Sequence, residues 1–348
     1  MQLDNPLISF DIGGTWFRSA LLNESFEELS FNKVPSINYT TNPNESAESL
    51  QIKLVDFLVI EIERIVRCTG LPVDTAVISL GAAINVLNGV ILNSGPLWGP
   101  ECKPFALLEM LNIRSPSINW HIYNDISATL MYHTLHDNQL TKKSCLLTVS
   151  SGIGMRIYDA SNKKVPCCSQ MGLQGEIGHL PIDFSLFGKQ LEMECDCGGK
   201  NHLNAFCSGR GLDNILKKLP ALIPESSIHD IESIDSLHKL RDCLRNNNTY
   251  AEEILKQIVS PIAHSILWIL TIDPQLEVIF ITGGLYEYLG DFYSKELISQ
   301  LEYIGMYQTS EYIEDYFSSK LKFSNTVQHA GLIGAAYCLN LKDEVKVY

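Results

Sequence analysis

"LISFDIGGTWFRSALL", residues 7–22, has two apolar segments on either side of Gly13 and Gly14. This pattern predicts a strand, a tight turn and a second strand. Strands that run into glycine turns recur at residues 152–154 and 283–284. Glycine has no Cβ, so backbone N–H groups in such turns can approach a phosphate closely. A single Gly-Gly turn is typical of an ordinary hairpin, but three together favour nucleotide binding.

The rest of the chain alternates apolar strands with amphipathic helices, which predicts an α/β protein. With 348 residues it is longer than one typical core requires. The simplest arrangement is two similar α/β lobes that present their glycine turns to a shared cleft.

Composition restricts the classes of partner. The net charge of -14 argues against nucleic acid and anionic membranes, which are bound by a surplus of Lys and Arg. The N-terminus has no basic segment before an apolar stretch, so no signal peptide is expected, and no spanning helix is expected either. Without an export signal, the ten cysteines indicate reduced thiols, buried small hydrophobic residues or metal ligands, as in a cytoplasmic protein, rather than a disulfide framework.

Two carboxylates follow predicted strands. Asp11 stands beside the first glycine turn with Thr15, a placement that makes sense if Mg²⁺ bridges the carboxylate and a phosphate. Asp125 ends the strand "WHIYND" and opens a helix, where it could accept a proton from a substrate hydroxyl. Taken alone, Asp125 also suits the ordinary role of a helix N-cap.

Residues 175–209 hold two further candidate sites. "GEIGH" places Glu176 and His179 between glycines, where they could bind a polyol or simply form a surface turn. "CDCGGKNH" offers Cys195, Cys197 and His202, which together with His179 suit tetrahedral Zn²⁺. Two buried thiols with unrelated histidines are the alternative, and Cys207 is a rival fourth ligand.

Motifs in this order resemble the ROK family of repressors, open reading frames and kinases, within the actin-like ATPase superfamily. The resemblance covers nearly the whole chain and rests on "DIGGTWFRSAL", "ISLGAAINVLNGVILNSGPLWG", "YNDISA", "SSGIG", "GEIGH", "CDCGGKNHLNAFCSGRG" and "HAGLIGAA". It implies a ribonuclease H-like fold of two lobes with a hinged cleft, and phosphoryl transfer from ATP with Mg²⁺ to the 6-hydroxyl of a hexose. The spacer before "CDCG" resembles the subgroup that contains bacterial N-acetylglucosamine kinases.

The resemblance also implies a role for each matched residue. Asp125 would be the general base, and the acceptor would contact Gly81, Asn93, Asn124, Glu176, His179 and Asn204. The nucleotide would contact Asp11, Gly13, Gly14, Thr15, Arg18, Ser151, Gly152, Gly283 and Gly284. Structural Zn²⁺ would be held by His179, Cys195, Cys197 and His202.

The expected lobes are residues 1–124 with 326–348, and residues 125–325, which would carry the zinc loop. Family members are often dimers, so a homodimer is expected. The family's repressors carry a helix-turn-helix domain ahead of the first phosphate loop, and here that loop starts at Asp11. A sugar kinase is therefore favoured over a repressor.

Four departures from the family pattern bear on the substrate. A zinc cysteine of the family is His202 here, and its sugar-contacting glutamate is Asn204. Ser150-Ser151 and Met155-Arg156 replace a Gly-Thr pair and glycines of the second phosphate loop. Asn204 suggests an acceptor altered near the anomeric end, such as an amino sugar, an N-acetyl sugar or a cyclitol. The altered loop leaves a weakly catalytic sugar sensor as the other alternative.

Overall fold

The computed structural model describes residues 5–85, 87–99, 103–168, 170–222, 234–309, 311–325 and 328–340. Two compact units make up the chain. The first contains residues 1–144, 156–174 and 327–348, and the second contains residues 145–155 and 175–326. Both units combine a sheet with helices, as the alternation of strands and helices predicts.

The first unit contains the strands β1 (Leu7–Ile12), β2 (Trp16–Leu22), β3 (Glu28–Pro35), β4 (Thr75–Leu80), β5 (Ala83–Asn85), β6 (Val90–Asn93) and β7 (Asn119–Asn124). Its sheet has the order β3-β2-β1-β4-β7. β1, β2 and β3 are antiparallel, whereas β4 pairs in parallel with both β1 and β7. The predicted strand, turn and strand at residues 7–22 are confirmed. The carboxyl ends of β1, β4 and β7 therefore bring Asp11, Gly81 and Asp125 to one edge.

The helices of the first unit are α1 (Ala47–Thr69), α2 (Gly95–Trp98), α3 (Leu107–Arg114), α4 (Asp125–His136) and α12 (Ala330–Asn340). α1 buries Leu50, Leu54, Leu58 and Ile62, the face that the i+4 spacing predicts. These side chains belong to the same core cluster as Phe10, on β1.

The first unit extends further along the chain than the sequence suggested. Residues 125–144 and 156–174, expected in the second lobe, belong to it. Ala128 of α4 shares a core cluster with Leu332, Ala335 and Ala336 of α12. A Cβ built on Gly334 would lie 1.9 Å from the carbonyl oxygen of Ala128. This backbone contact between α4 and α12 joins residues 125–136 to the first unit.

The second unit is built on β8 (Ser144–Val149), β9 (Ile153–Tyr158), β10 (Phe184–Leu186), β11 (Lys189–Leu191), β12 (Val278–Thr282) and β13 (Leu321–Phe323). Ser144 at the start of β8 and the end of β9, from Arg156 onward, belong to the first unit. The main sheet of the second unit has the order β13-β12-β8-β9, and β10 pairs with β11. The helices are α5 (Leu203–Cys207), α6 (Gly209–Leu222), α7 (Leu237–Arg245), α8 (Thr249–Ile272), α9 (Gly284–Leu289), α10 (Asp291–Ile304) and α11 (Tyr316–Lys320), with a 3₁₀ turn at Ile177–His179.

Within the described residues, α8 has the length and apolar composition of a membrane span. The sequence led us to expect no such helix. Half of its most apolar window is buried inside the structure, with Ile258, Val259 and Ile262 in the interior. Length and composition do not separate a membrane span from the core helix of a globular unit, and burial of this kind is typical of a core helix.

Candidate active site

The predicted site residues fall into one group in each unit. The first unit holds Asp11, Gly13, Gly14, Thr15, Arg18, Gly81, Asn93, Asn124 and Asp125. The second holds Ser151, Gly152, Glu176, His179, Cys195, Cys197, His202, Asn204, Gly283 and Gly284.

Asp125 is the first residue of α4, directly after β7. The Oδ1 atom of Asn124 accepts hydrogen bonds from the backbone N–H groups of Ile126 (3.0 Å) and Ser127 (3.2 Å). Asn124 is therefore the residue that caps the helix, while its Nδ2 donates to the carbonyl oxygen of Ala82 at 3.1 Å. The Oδ1 atom of Asp125 also accepts from Ile126 N–H at 2.9 Å. Its other oxygen, Oδ2, is left for other partners.

The electrostatic setting of Asp125 favours the protonated form. Burial raises the pKa of its carboxyl, the Asp11 carboxylate raises it further, and the Arg156 guanidinium opposes both. A Cβ on Gly81 would lie 3.2 Å from Oδ2 of Asp125. Glycine at position 81 thus keeps one side of this oxygen free of side-chain atoms.

Asp11 is held by Arg18 and Ser79. Nη1 of Arg18 donates to Oδ2 of Asp11 at 2.8 Å, and Oγ of Ser79 donates to Oδ1 at 3.3 Å. Burial raises the pKa of Asp11, and Arg18 and Ser79 oppose this rise. Nε of Arg18 is buried and has no hydrogen-bond partner among the described residues. An unsatisfied buried donor of this kind suits a bound anion beside the first glycine turn.

The first glycine turn is fixed by its neighbours. Gly13 N–H donates to the carbonyl oxygen of Trp16 at 3.1 Å, and Nδ2 of Asn38 donates to the carbonyl oxygen of Gly14 at 2.7 Å. A Cβ on Gly14 would lie 2.9 Å from Cβ of Pro96, so no larger residue fits there without a shift. Thr15 is exposed at the tip. Sequence reasoning missed Asn38, since nothing in its polar loop marks it out.

Asn93 ends β6, opposite Ala83 in the small hairpin of β5 and β6. The next residue, Ser94, donates from Oγ to the carbonyl oxygen of Gly81 at 2.8 Å. The hairpin therefore fixes the backbone of Gly81 beside Asp125 and places Asn93 at the exposed end of the same segment.

Arg156 was noted in the sequence only as a departure from glycine, and no role was given to it. The side chain is buried, with Nη1 hydrogen-bonded to the carbonyl oxygen of Gln174 and Nη2 at 3.5 Å from that of Gly172. With Asn124, Arg156 lines a cavity of about 360 Å³ beside β7. An arginine within the otherwise apolar strand "IGMRIY" was the signal available in the sequence.

His179, Cys195, Cys197 and His202 lie together in the second unit, with their potential ligand atoms all within 4.8 Å of one another. Sγ of Cys195 is 3.9 Å from Nδ1 of His179, and Sγ of Cys197 is 3.1 Å from Nδ1 of His202. Tetrahedral Zn²⁺, with bonds of about 2.0–2.3 Å, separates N and S ligands by roughly 3.6 Å. The four residues therefore fit a zinc ion. Cys207 is fully buried in α5 and is not part of this cluster.

A tight turn presents the two cysteines. Cys195 N–H donates to the carbonyl oxygen of Gly199, and Gly198 N–H donates to that of Cys195, both at 2.8 Å. A Cβ on Gly199 would lie 2.3 Å from Cε1 of the His202 ring, so a larger residue there would force this ring to shift. The Gly-Gly pair thus serves the ligand geometry directly.

Glu176 precedes the 3₁₀ turn, and its carbonyl oxygen accepts from His179 N–H at 3.0 Å.

Asn204 lies on α5, two residues after His202. Its Oδ1 accepts from the backbone N–H of Ile153 at 2.7 Å. Asn204 is therefore already engaged with the segment after the second glycine turn.

The other glycine turns of the second unit are also constrained. In the turn at Ser150–Gly152, Ser150 N–H donates to the carbonyl oxygen of Gly152 at 2.8 Å, and Ser151 is exposed. Gly283 has φ of +110°, and a Cβ there would lie 2.5 Å from the carbonyl oxygen of Val149. Position 283 therefore requires glycine, and Gly284 begins α9 directly after it.

Sequence comparison matches residues 7–341 to the ROK family. The chain is 29% identical to a 2-epi-5-epi-valiolone 7-kinase from an Actinoplanes species, over 99% of this chain and 95% of that protein. It is 26% identical to an N-acetyl-D-glucosamine kinase of Histophilus somni, over 84% of this chain and 88% of that protein.

Solved structures agree on the fold. A ROK hexokinase from Thermus thermophilus aligns with a TM-score of 0.69 at 21% identity, covering 97% of this chain and 99% of that one. A ROK glucokinase from Streptomyces griseus, in complex with glucose and AMPPNP, aligns with a TM-score of 0.66 at 18% identity, covering 95% and 98%. The expected actin-like ATPase fold is confirmed, as is the prediction of a carbohydrate kinase. The chain belongs to the ROK family, as one of its carbohydrate kinases.

Proposed function

We propose that this chain transfers the γ-phosphoryl group of ATP to the exocyclic primary hydroxyl of a cyclitol. The acceptor class rests on one observation, the end-to-end similarity to a 2-epi-5-epi-valiolone 7-kinase. The reaction rests on Asp125, a carboxylate at the end of a parallel strand with one oxygen unobstructed by residue 81.

Asp125 would act as the general base. To accept the proton of the attacking hydroxyl, its carboxyl must be ionised in the enzyme–substrate complex. Burial and Asp11 oppose ionisation, whereas Arg156 favours it. A base whose pKa is raised towards the working pH is also a stronger proton acceptor. The pKa of this carboxyl must therefore be low enough for ionisation and high enough for efficient proton acceptance. We infer that Arg156, by opposing the rise caused by burial and Asp11, balances the pKa between these two requirements.

The first glycine turn and the turn at Ser150–Gly152 would contact the phosphates of the nucleotide through backbone N–H groups. The AMPPNP in the S. griseus glucokinase supports ATP as the donor. Asp11 and Asp125 are neighbouring carboxylates of raised pKa, a donor set that suits a hard cation, and Asp11 would hold Mg²⁺. When bound, Mg²⁺ would neutralise charge on the transferring phosphoryl group.

Zn²⁺ at the four-residue cluster would be structural, because all four ligands come from the protein and close the coordination shell. The cluster includes His179, which ends the 3₁₀ turn that follows Glu176. Fixing His179 would hold this turn and so aim Glu176 at hydroxyl groups of the acceptor.

A hexose or N-acetyl hexose with its 6-hydroxyl as acceptor is the second candidate. The similarity to an N-acetyl-D-glucosamine kinase favours it, although that match covers less of the chain. The two acceptor classes differ near the anomeric carbon, since a cyclitol has no ring oxygen there. Asn204 replaces the family's sugar-contacting glutamate, and its Oδ1 already accepts a hydrogen bond from Ile153 N–H. Asn204 therefore does not require an anomeric hydroxyl on the acceptor as a hydrogen-bond partner.

A coupled ADP-release assay over a panel of acceptors tests the proposal. The panel contains a C7 cyclitol of the valiolone type, N-acetylglucosamine, N-acetylmannosamine and glucose. We expect the cyclitol to give a kcat/KM at least about tenfold above any hexose, corresponding to roughly 1.4 kcal/mol of selective transition-state binding. ³¹P and ¹³C NMR of the product should place the phosphoester on the exocyclic carbon.

Asp125→Asn is the matched control, because the amide keeps the size and the acceptor oxygen of the carboxyl. We expect its kcat to fall by about 10²–10⁴ while acceptor binding stays measurable by calorimetry. Preference for a hexose would instead support the second candidate. Binding of acceptors without ADP release in the wild type would support the weakly catalytic sensor.

A further inference from the structure

We propose that Asn204 is a positioning residue for the Ser150–Gly152 turn, and through this turn for the bound nucleotide, rather than a contact to the acceptor. The inference rests on the proposed function in one respect, namely that this turn binds phosphate. It changes the role that the family resemblance implies for residue 204.

The main evidence is the hydrogen bond that Ile153 N–H donates to Oδ1 of Asn204, at 2.7 Å. Ile153 is the first residue of β9 and is only 5% exposed, so water cannot easily replace this partner. A buried backbone N–H that loses its acceptor carries the full cost of its desolvation. The side chain of Asn204 therefore determines where β9 begins and where the turn before it ends.

Packing holds the amide of Asn204 in place. A Cβ on Gly178 would lie 2.6 Å from Oδ1 and 2.7 Å from Nδ2 of Asn204, and 2.3 Å from the carbonyl oxygen of Ile153. The amide thus lies between two backbone segments, with glycine required on one side. A side chain confined in this way has little freedom to turn towards a ligand.

The start of the turn is tied to the same region. Gly209 N–H donates to the carbonyl oxygen of Ser150 at 2.7 Å. Oγ of Ser208 donates to the carbonyl oxygen of Asn204 at 2.6 Å and accepts from Gly211 N–H at 3.0 Å. Residues 204–211 therefore hold both ends of the Ser150–Gly152 turn, one through a side chain and the other through the backbone.

The experiment compares variants that keep or remove the acceptor atom. Asn204→Asp keeps an oxygen at Oδ1, whereas Asn204→Leu has a similar size and removes it. Asn204→Ala adds no bulk and provides the same test if the leucine variant does not fold. Gln174→Leu is the matched control, because Oε1 of Gln174 accepts from Ile157 N–H at 2.7 Å, further along the same strand.

Two measurements are made on the full chain: amide hydrogen exchange at Ile153 and Ile157, and calorimetric affinities for AMPPNP and for a C7 cyclitol of the valiolone type as the acceptor. We expect Asn204→Leu to speed exchange at Ile153 on the order of tenfold, in line with the loss of a buried hydrogen bond. AMPPNP affinity should fall on a similar scale, with acceptor affinity within about twofold of the wild type. Asn204→Asp should restore protection at Ile153, and Gln174→Leu should expose Ile157 alone.

Unchanged exchange at Ile153 in both Asn204→Leu and Asn204→Ala would overturn the proposal. Loss of acceptor affinity with AMPPNP affinity intact would also overturn it and return Asn204 to substrate contact. Faster exchange without any change in AMPPNP affinity would refute the link to the nucleotide. Failure of the kinase assignment itself is a different result, namely no ADP release by the wild type with any acceptor.

Discussion

The pKa of the Asp125 carboxyl is set by neighbouring groups with opposite effects. This carboxyl lies near the Asp11 carboxylate and the Arg156 guanidinium, and burial raises its pKa above the ordinary value of 3.8. Asp125 could be identified from the sequence, because a carboxylate directly after a predicted strand is a local pattern. The role of Arg156 depends on which groups surround it, and no local pattern carries that information.

The raised pKa of Asp125 predicts a stability effect of defined sign. Between the ordinary pKa and the folded one, the unfolded chain has released the proton that the folded chain still holds. Stability contributed by this carboxyl is therefore greatest below about pH 4 and declines as pH rises to the folded pKa. Asp125→Asn removes this penalty, so at neutral pH we expect its Tm to exceed that of the wild type by a few degrees.

Calorimetric unfolding between pH 4 and 8 measures this difference, which should shrink towards the acid end. The same substitution at the exposed Asp74 should leave Tm unchanged at every pH. A lower Tm for Asp125→Asn at neutral pH would show that the loss of the charge opposite Arg156 outweighs the relief of burial and of repulsion from Asp11.

At the scale of elements, α4 and α12 approach closely through small residues. Gly334→Ala would place a methyl group 1.9 Å from the carbonyl oxygen of Ala128, so the two helices must separate. We expect the free energy of unfolding to fall by about 1–3 kcal/mol, as for other overpacked cores. Gly95→Ala, where nothing lies within 4 Å of the added Cβ, is the control. Equal denaturation midpoints for both variants would contradict this account of the packing.

The stretch "GLIGAA" lies within α12, and its small residues allow another helix to approach closely. Its partner could not be predicted, because a stripe of small residues fits many helix faces. The lobe boundary expected at residue 125 was displaced for the same reason, since α4 belongs to whichever unit supplies its complementary surface.

At the scale of the whole molecule, the two units should respond differently to metal removal. Every candidate zinc ligand lies in the second unit. We expect one zinc per chain by elemental analysis, its loss with 1,10-phenanthroline, and faster hydrogen exchange over residues 175–209. Exchange in β1, β2 and β4 of the first unit should stay as it was, because these strands share no ligand with the cluster.

His202→Ala should reproduce the effect of the chelator, whereas His238→Ala, at an exposed histidine outside the cluster, should not. Faster exchange that spreads equally through both units would contradict a local structural role for the metal. Zinc retained by His202→Ala would mean that another group, such as a solvent ligand, completes the site.

The sequence by itself determined the parts of this protein that depend on local chemistry. Glycine turns after apolar strands, the i+4 face of α1, and the spacing of cysteines and histidines are patterns within a few residues. Tertiary structure decided the rest: the hydrogen bond from Ile153 N–H to Asn204, the setting of Arg156 near Asp125, and the packing of α4 against α12. Each of these joins segments far apart in the chain. Such contacts depend on burial and shape complementarity between surfaces that exist only after folding.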